Sequence, residues 1–401
     1  MKGKQAAQSQ NRNGNRKRKE TGMMFGVLFL KECRQVLKSL VYYIYVVVFV
    51  VFISGQMSSE GLKELQEPAP GQADYGETIT HDETLIMKGT VENLAREVNS
   101  NSFATYPMGF YKGVNLTDSE SAQAKEILKR CVGENGDVLR DGLTYEEFEE
   151  AMAEICQLVG RGSFYEKESY ENRIYAPMTY EQAKAEFDAL CGRDHVTRAW
   201  MRLFCDYAGI VLAVLPIFIG VSGALRDKRA KAQQVIFSRP VSGLRIVAGR
   251  YLANLVMLVI PVAITASLLH QPCYEKAQAF GVQGDRWAFL TVTGVWLLPE
   301  IMVVLALSFL ITELTGTVLA VFVQAAWGIG SIFGADTLVG DFGLKLVARW
   351  NTLGQTELFA LNQEAFLINR GYYFLLALIC VILTAIVFER KRGGKLLWKN
   401  I

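Results

Sequence analysis

A chain of 401 residues with 51% hydrophobic residues and a formal net charge of +2 is too apolar to stay disordered. It is also too nearly neutral to carry the basic footprint by which proteins hold nucleic acid, so no nucleic-acid partner is expected. Length alone would allow two or three soluble domains, but several runs free of charge are as long as the roughly 20 apolar residues that a bilayer-spanning helix needs.

In chain order, residues 1–22 are polar and basic, with Arg16-Lys17-Arg18-Lys19 among them. They read as a disordered cytoplasmic tail near anionic membrane lipid. Segment 23–56 follows. Phe25, Phe29, Val36 and Leu40 share one side, with Lys31, Arg34 and Lys38 elsewhere, the pattern of an interfacial helix ahead of a first crossing at Ser39–Ser59. The basic leader and the apolar run are both too long for a signal peptide, so this reads as a retained anchor.

Residues 57–202 hold 27 Asp/Glu against 15 Lys/Arg. The stretch is too long for an unstructured loop and suits one α-rich extracytoplasmic domain. Thr144-Tyr-Glu-Glu147 and Thr179-Tyr-Glu-Gln182 fit capping boxes, each followed by apolar residues at helical spacing: Phe148, Met152 and Ile155, then Ala183, Phe187 and Leu190. Residues 203–401 hold the remaining crossings, at Leu203–Leu225, Tyr251–Tyr274, Trp287–Thr312, Leu314–Ala335 and Gly371–Phe388. Between them lie a basic cytoplasmic loop, 226–250, and a charged, moderately apolar region, 336–370, expected to form external re-entrant or interfacial helices. The leader, the 226–250 loop and the tail from Glu389 are all basic, which puts them on the cytoplasmic side. The expected fold is therefore an all-α polytopic membrane protein with six transmembrane helices and both termini cytoplasmic.

Motifs for chemistry are mostly missing. There is no Gly-x-x-x-x-Gly-Lys-Ser/Thr phosphate loop and no Gly-x-Ser-x-Gly elbow. His81, His195 and His270 have no metal-ligand spacing. Asp137–Glu147 approaches a calcium loop, but with Asp141-Gly142 at positions five and six, position twelve is Phe148. No catalytic residue and no metal is assigned. Cys131, Cys156, Cys191 and Cys273 fall outside in this topology and permit three pairings, or none. Glu300 sits mid-crossing, where a charge costs about 2.5–3.5 kcal/mol on insertion scales. It is either a group lining a translocation path or a hydrogen-bonded carboxyl beside the kink at Pro299. Gln324 raises the same choice between path and interhelical hydrogen bond.

The loop also carries a motif. Phe237-Ser-Arg-Pro-Val-Ser242 followed by Gly249-Arg-Tyr251 resembles the turn and third-helix entry of the type-2 ABC exporter permeases (ABC-2 permeases). Lys231-Ala232 stands where that family often has Gly-Thr, and Arg250 where it has lysine. The resemblance covers the membrane parts and leaves the external domain without a likeness. It implies a permease subunit of the bacterial cytoplasmic membrane, working as a homodimer or with a second permease, and driven by a separate ABC ATPase subunit that holds ATP and Mg. It further implies that Lys231, Gln234, Ile236, Phe237, Ser238, Arg239 and Pro240 form the element that docks on that ATPase. The competing reading is a non-transporting sensor or anchor whose external domain binds a ligand or partner.

Overall fold

The computed structural model describes residues 25–57, 59–107, 112–133, 138–238, 241–333, 339–340 and 342–394. The basic tail 1–22 expected from the sequence lies outside them. The chain forms two compact units, one from 1–65, 191–329 and 342–401, the other from 66–190 and 330–341.

The first unit is helical. It contains α1 (Phe25–Leu37), α2 (Leu40–Gln56) and the short α3 (Ser59–Glu64). After residues 66–190 come α9 (Thr197–Leu212), α10 (Pro216–Arg229), α11 (Gln233–Phe237), α12 (Gly243–Ala279), α13 (Ala288–Thr315), α14 (Leu319–Phe333, whose residues from Gly330 on fall to the other unit) and α15 (Thr356–Arg392). By length and composition α12, α13 and α15 can each cross a membrane. The bent pairs α1+α2 (69°) and α9+α10 (43°) raise the count to as many as five if each is one span. Pro216, at the first position of α10, supplies a reason for the second bend, because it has no N–H to continue the ladder of α9.

The expected fifth crossing begins later than its apolar run. Gly316, at φ 64°, caps α13, and the next helix starts only at Leu319; the described part of α14 runs from there to Phe333. The region 336–370 also differs from the short helices expected there. Its described residues 342–355 are largely non-helical and pack inward through Phe342, Leu346, Val347 and Trp350, and from Thr356 onward the chain is the start of α15.

Helix packing here relies on small residues and polar links, as it does where lipid supplies no hydrophobic drive. A Cβ at Gly220 of α10 would overlap Ser308 of α13. The Tyr45 hydroxyl of α2 donates to the Leu258 carbonyl of α12 at 2.7 Å, and the Tyr251 hydroxyl of α12 to the Met302 carbonyl of α13 at 2.9 Å.

The second unit contains β1 (Glu77–Ile79), α4 (Glu83–Ser100), β2 (Phe103–Thr105), β3 (Lys112–Val114), α5 (Asp118–Cys131), α6 (Tyr145–Val159), α7 (Lys167–Glu171), β4 (Tyr175–Pro177) and α8 (Tyr180–Gly192). The all-α expectation is corrected by two small antiparallel sheets, β1 with β4 and β2 with β3. The core places Phe148, Met152 and Ile155 of α6 against Val91, Leu94 and Val98 of α4 and Ile127 and Cys131 of α5. Thr179 and Gln182 satisfy each other's backbone N–H groups as a capping box does. Thr144 caps α6 one way only, because Glu147 pairs instead with Arg140 at 2.5 Å. A full box at Thr117 and Glu120 begins α5. The Thr117 hydroxyl, then its backbone N–H, holds the Glu120 carboxyl below its usual range. None of the seven cysteines is in a disulfide.

Candidate functional site

The loop 226–250 meets several helix ends at one end of the first unit. Arg226 and Arg250 both reach Glu32 of α1, at 2.8 and 3.6 Å, and Arg250 also pairs with Asp227 at 2.6 Å. Lys228 donates to the carbonyl of Gly316, just past α13. Lys391 of α15 pairs with Glu313 of α13 at 3.2 Å. Glu32 and Asp227 alternate with Arg226 and Arg250, and the Glu32 side chain is 5% exposed. A carboxylate can be buried this far because two guanidiniums share it.

Within that loop, Lys231 adopts a left-handed φ of 53° and α11 follows. Five residues cannot hold a helix unaided, so α11 is seated from one side by α15. The Phe237 ring stands edge-on to Phe388 with centroids 5.4 Å apart. Arg392 donates to the carbonyls of Phe237 (2.8 Å) and Val241 (2.7 Å), groups that the end of a short helix would otherwise leave orphaned. The N–H of Gly243 donates to the Glu389 carboxylate, and a Cβ at Gly243 would lie 2.8 Å from Phe388, so glycine lets α12 begin against α15.

This seating divides the residues named from the sequence. Phe237 and Ile236 are half-buried, and Phe237 anchors α11 to α15. Lys231, Gln234, Val235 and Ser238 are exposed; Gln234, Val235 and Ser238 lie at the one and four spacing of a single helix face, and Lys231 stands in the left-handed turn before it. Val235, 61% exposed, is the apolar group on that face. The sequence reading named Ile236 and Phe237 as the apolar groups and did not include Val235. Arg239 and Pro240 lie outside the described residues.

Glu300 and Gln324 are both fully enclosed within the unit. Glu300 Oε2 is 3.4 Å from Arg370 Nη1 of α15, and it lies beside Gly209 of α9, where an added Cβ would be 3.4 Å from it. Arg370 also donates to the carbonyl of Trp296 (3.0 Å), in the turn that precedes Pro299, and to that of Leu346 (2.9 Å). Asn369 Nδ2 lies 2.9 Å from each of the carbonyls of Phe342, Gly343 and Lys345. Asp206 of α9 accepts from Arg349 at 2.8 and 3.2 Å and from the Trp350 N–H at 2.6 Å. The non-helical stretch 342–350 is thus pinned by α15 on one side and by Asp206 on the other. Gln324 of α14 donates to the Ala213 carbonyl at 2.8 Å, in the break between α9 and α10.

Sequence reasoning named Glu300 and missed Arg349, Asn369 and Arg370. The available signal was the carboxylate itself: an acid inside an apolar helix demands a cation. The nearest cations by chemistry stood in a region set aside as too charged to span. Among the described residues no group of three His, Cys, Asp or Glu could hold a metal ion.

A family model described as ABC-2 family transporter protein matches residues 27–347. No curated protein and no solved structure matches the chain.

Proposed function

The chain belongs to the ABC-2 family of transporters and is a membrane permease; on that premise we propose that it is the permease half of an ATP-driven exporter. In this reading ATP and Mg bind a separate ABC ATPase subunit, and two permease chains pair in the membrane. The basic ends, with the 226–250 loop, face the cytoplasm of a bacterial cell.

The observation that carries the reading is α11. Its Gln234 and Val235, with Lys231 just before the helix and Ser238 at its end, are exposed while Phe237 and Arg392 bind its other side to α15. An ATPase that grips this face would therefore move the end of a 37-residue helix. Such a rigid link suits a rigid-body switch between two states of the bundle. Glu300 and Gln324 enter as groups that hold the bundle and that also keep one Oε1 each without a partner among the described residues.

The test is co-purification of the ABC ATPase with the permease from native membranes, followed by ATP-dependent export in reconstituted vesicles. Val235→Asp with Gln234→Asp is expected to lose both while the permease still inserts. Retention of both would remove the docking role of α11.

A further inference from the structure

At the end of the first unit opposite the 226–250 loop, α9, α13 and α15 enclose a cavity of about 550 Å³, within the range of small-molecule sites. Its wall carries three arginines, Arg193, Arg198 and Arg202, against one aspartate, Asp194. The other two carboxylates that pair with these arginines, Glu357 (2.6 Å from Arg193) and Asp285 (2.8 Å from Arg198), stand outside the lining. Burial alone would raise the Asp285 pKa, but the Arg198 guanidinium and the Trp287 N–H hold it below its usual range.

Two deeply buried side chains on this wall carry donors with no acceptor among the described residues: Nε of Arg202, 2% exposed, and Nε1 of Trp296, 1% exposed. The other Arg202 nitrogens are committed to Asp194 at 2.5 and 2.6 Å, and its guanidinium lies 4.3 Å over the Phe359 ring. A buried donor left unmade costs about 1–3 kcal/mol; both nitrogens are covered by neighbouring side chains, so an occupant's acceptor oxygen meets them once those side chains move apart. Beside the polar Thr291, Thr356 and Gln363, the lining has an apolar part in which Val295 and Leu367 are 47% and 48% exposed on helices long and apolar enough to cross a membrane.

We propose that this cavity binds an anionic amphiphile. A carboxylate or phosphate head takes the Arg202 and Trp296 donors and the guanidinium nitrogens of Arg198, and the apolar tail lies along Val295 and Leu367. Binding here is independent of the ATPase reading, because it is measured on the permease without ATP.

The experiment is calorimetric titration of the full-length chain in maltoside micelles with dioctanoylphosphatidylglycerol, decanoate and inorganic phosphate. Saturable binding of an amphiphile, with none of phosphate, is expected. Arg198→Gln, at the half-exposed mouth, should weaken it roughly tenfold, the scale of one charge-assisted hydrogen bond. Trp296→Phe, which keeps the ring and removes the donor, should also weaken it. Ala360→Trp, which fills the lining, should abolish it and keeps the test decisive if Trp296→Phe does not fold. Tighter phosphatidylglycerol binding identifies a bilayer lipid as the source, and tighter decanoate binding a free amphiphile. Absence of saturable binding, phosphate binding as tightly as the amphiphiles, or unchanged affinity in Arg198→Gln and Ala360→Trp would overturn the proposal.

Discussion

The two units of this chain place charge and oil in opposite ways. In the 66–190 unit Phe148, Met152 and Val91 are inside, while pairs such as Arg130 with Glu154 lie on the surface with about half of each side chain exposed. In the helical unit Val47, Val51, Phe322, Leu375 and Ile382 face outward, while Asp206, Glu300, Arg349 and Arg370 are inside. The difference reports the solvent each was built for. Water lets a surface ion pair form and part at little cost, so it contributes at most about 1 kcal/mol. An interior that faces lipid offers no water, so each buried ion needs a dedicated partner, and loss of one partner strands the other.

That contrast can be broken at its strongest point first. Arg370→Met should leave Glu300 buried without its cation and cost about 3–5 kcal/mol, the range for halving a buried pair. It would be read as loss of folded protein in detergent by size-exclusion and thermal unfolding. Arg370→Met with Glu300→Gln should recover part of that loss, and a double variant no better than the single would show that Arg370 acts only through the carbonyls of Trp296 and Leu346. Phe148→Ala tests the other unit, where the term is packing. It should cost about 3–5 kcal/mol, measured by chemical denaturation, with the first unit's helical signal retained.

Thr117→Ala is a smaller probe, because it removes one helix cap. It should cost about 1 kcal/mol in the same denaturation measurement and return the Glu120 titration, followed by NMR, to its usual range. Since the native Glu120 pKa is lowered, the cap's ionic share is present above the ordinary carboxylate pKa and fades as pH falls through the native value. Arg130→Gln should change stability by less than about 1 kcal/mol. A larger loss would mean that the pair with Glu154 is not the solvated contact that its exposure implies.

The contrast also explains what was legible beforehand. Apolar runs and basic flanks are local properties, so the approximate positions of α2, α12, α13 and α15, and the distinct character of the intervening acidic stretch, could be read directly. The helix of α6 was legible because Thr144 and the 148, 152, 155 spacing lie within a few turns of each other. The α13–α14 break was less visible. Gly316 inside an apolar stretch looks like any small residue in a membrane helix, and only its left-handed backbone makes it an end. The site divided in the same way. The resemblance marked out the element from Lys231 to Pro240, but which of Val235 and Phe237 faces outward depended on a ring contributed by α15.

By itself the sequence determined that this chain lives in a membrane, where it is basic, and that it carries a permease motif, because hydropathy, charge and capping act over a few residues. Only the tertiary structure decided which groups share an interior. Arg370 meets Glu300 across 70 positions, Arg349 meets Asp206 across 143, and Arg392 meets Phe237 across 155. Such pairs follow from how helices stack and where glycines let them approach. No window short enough to hold a helix contains both partners.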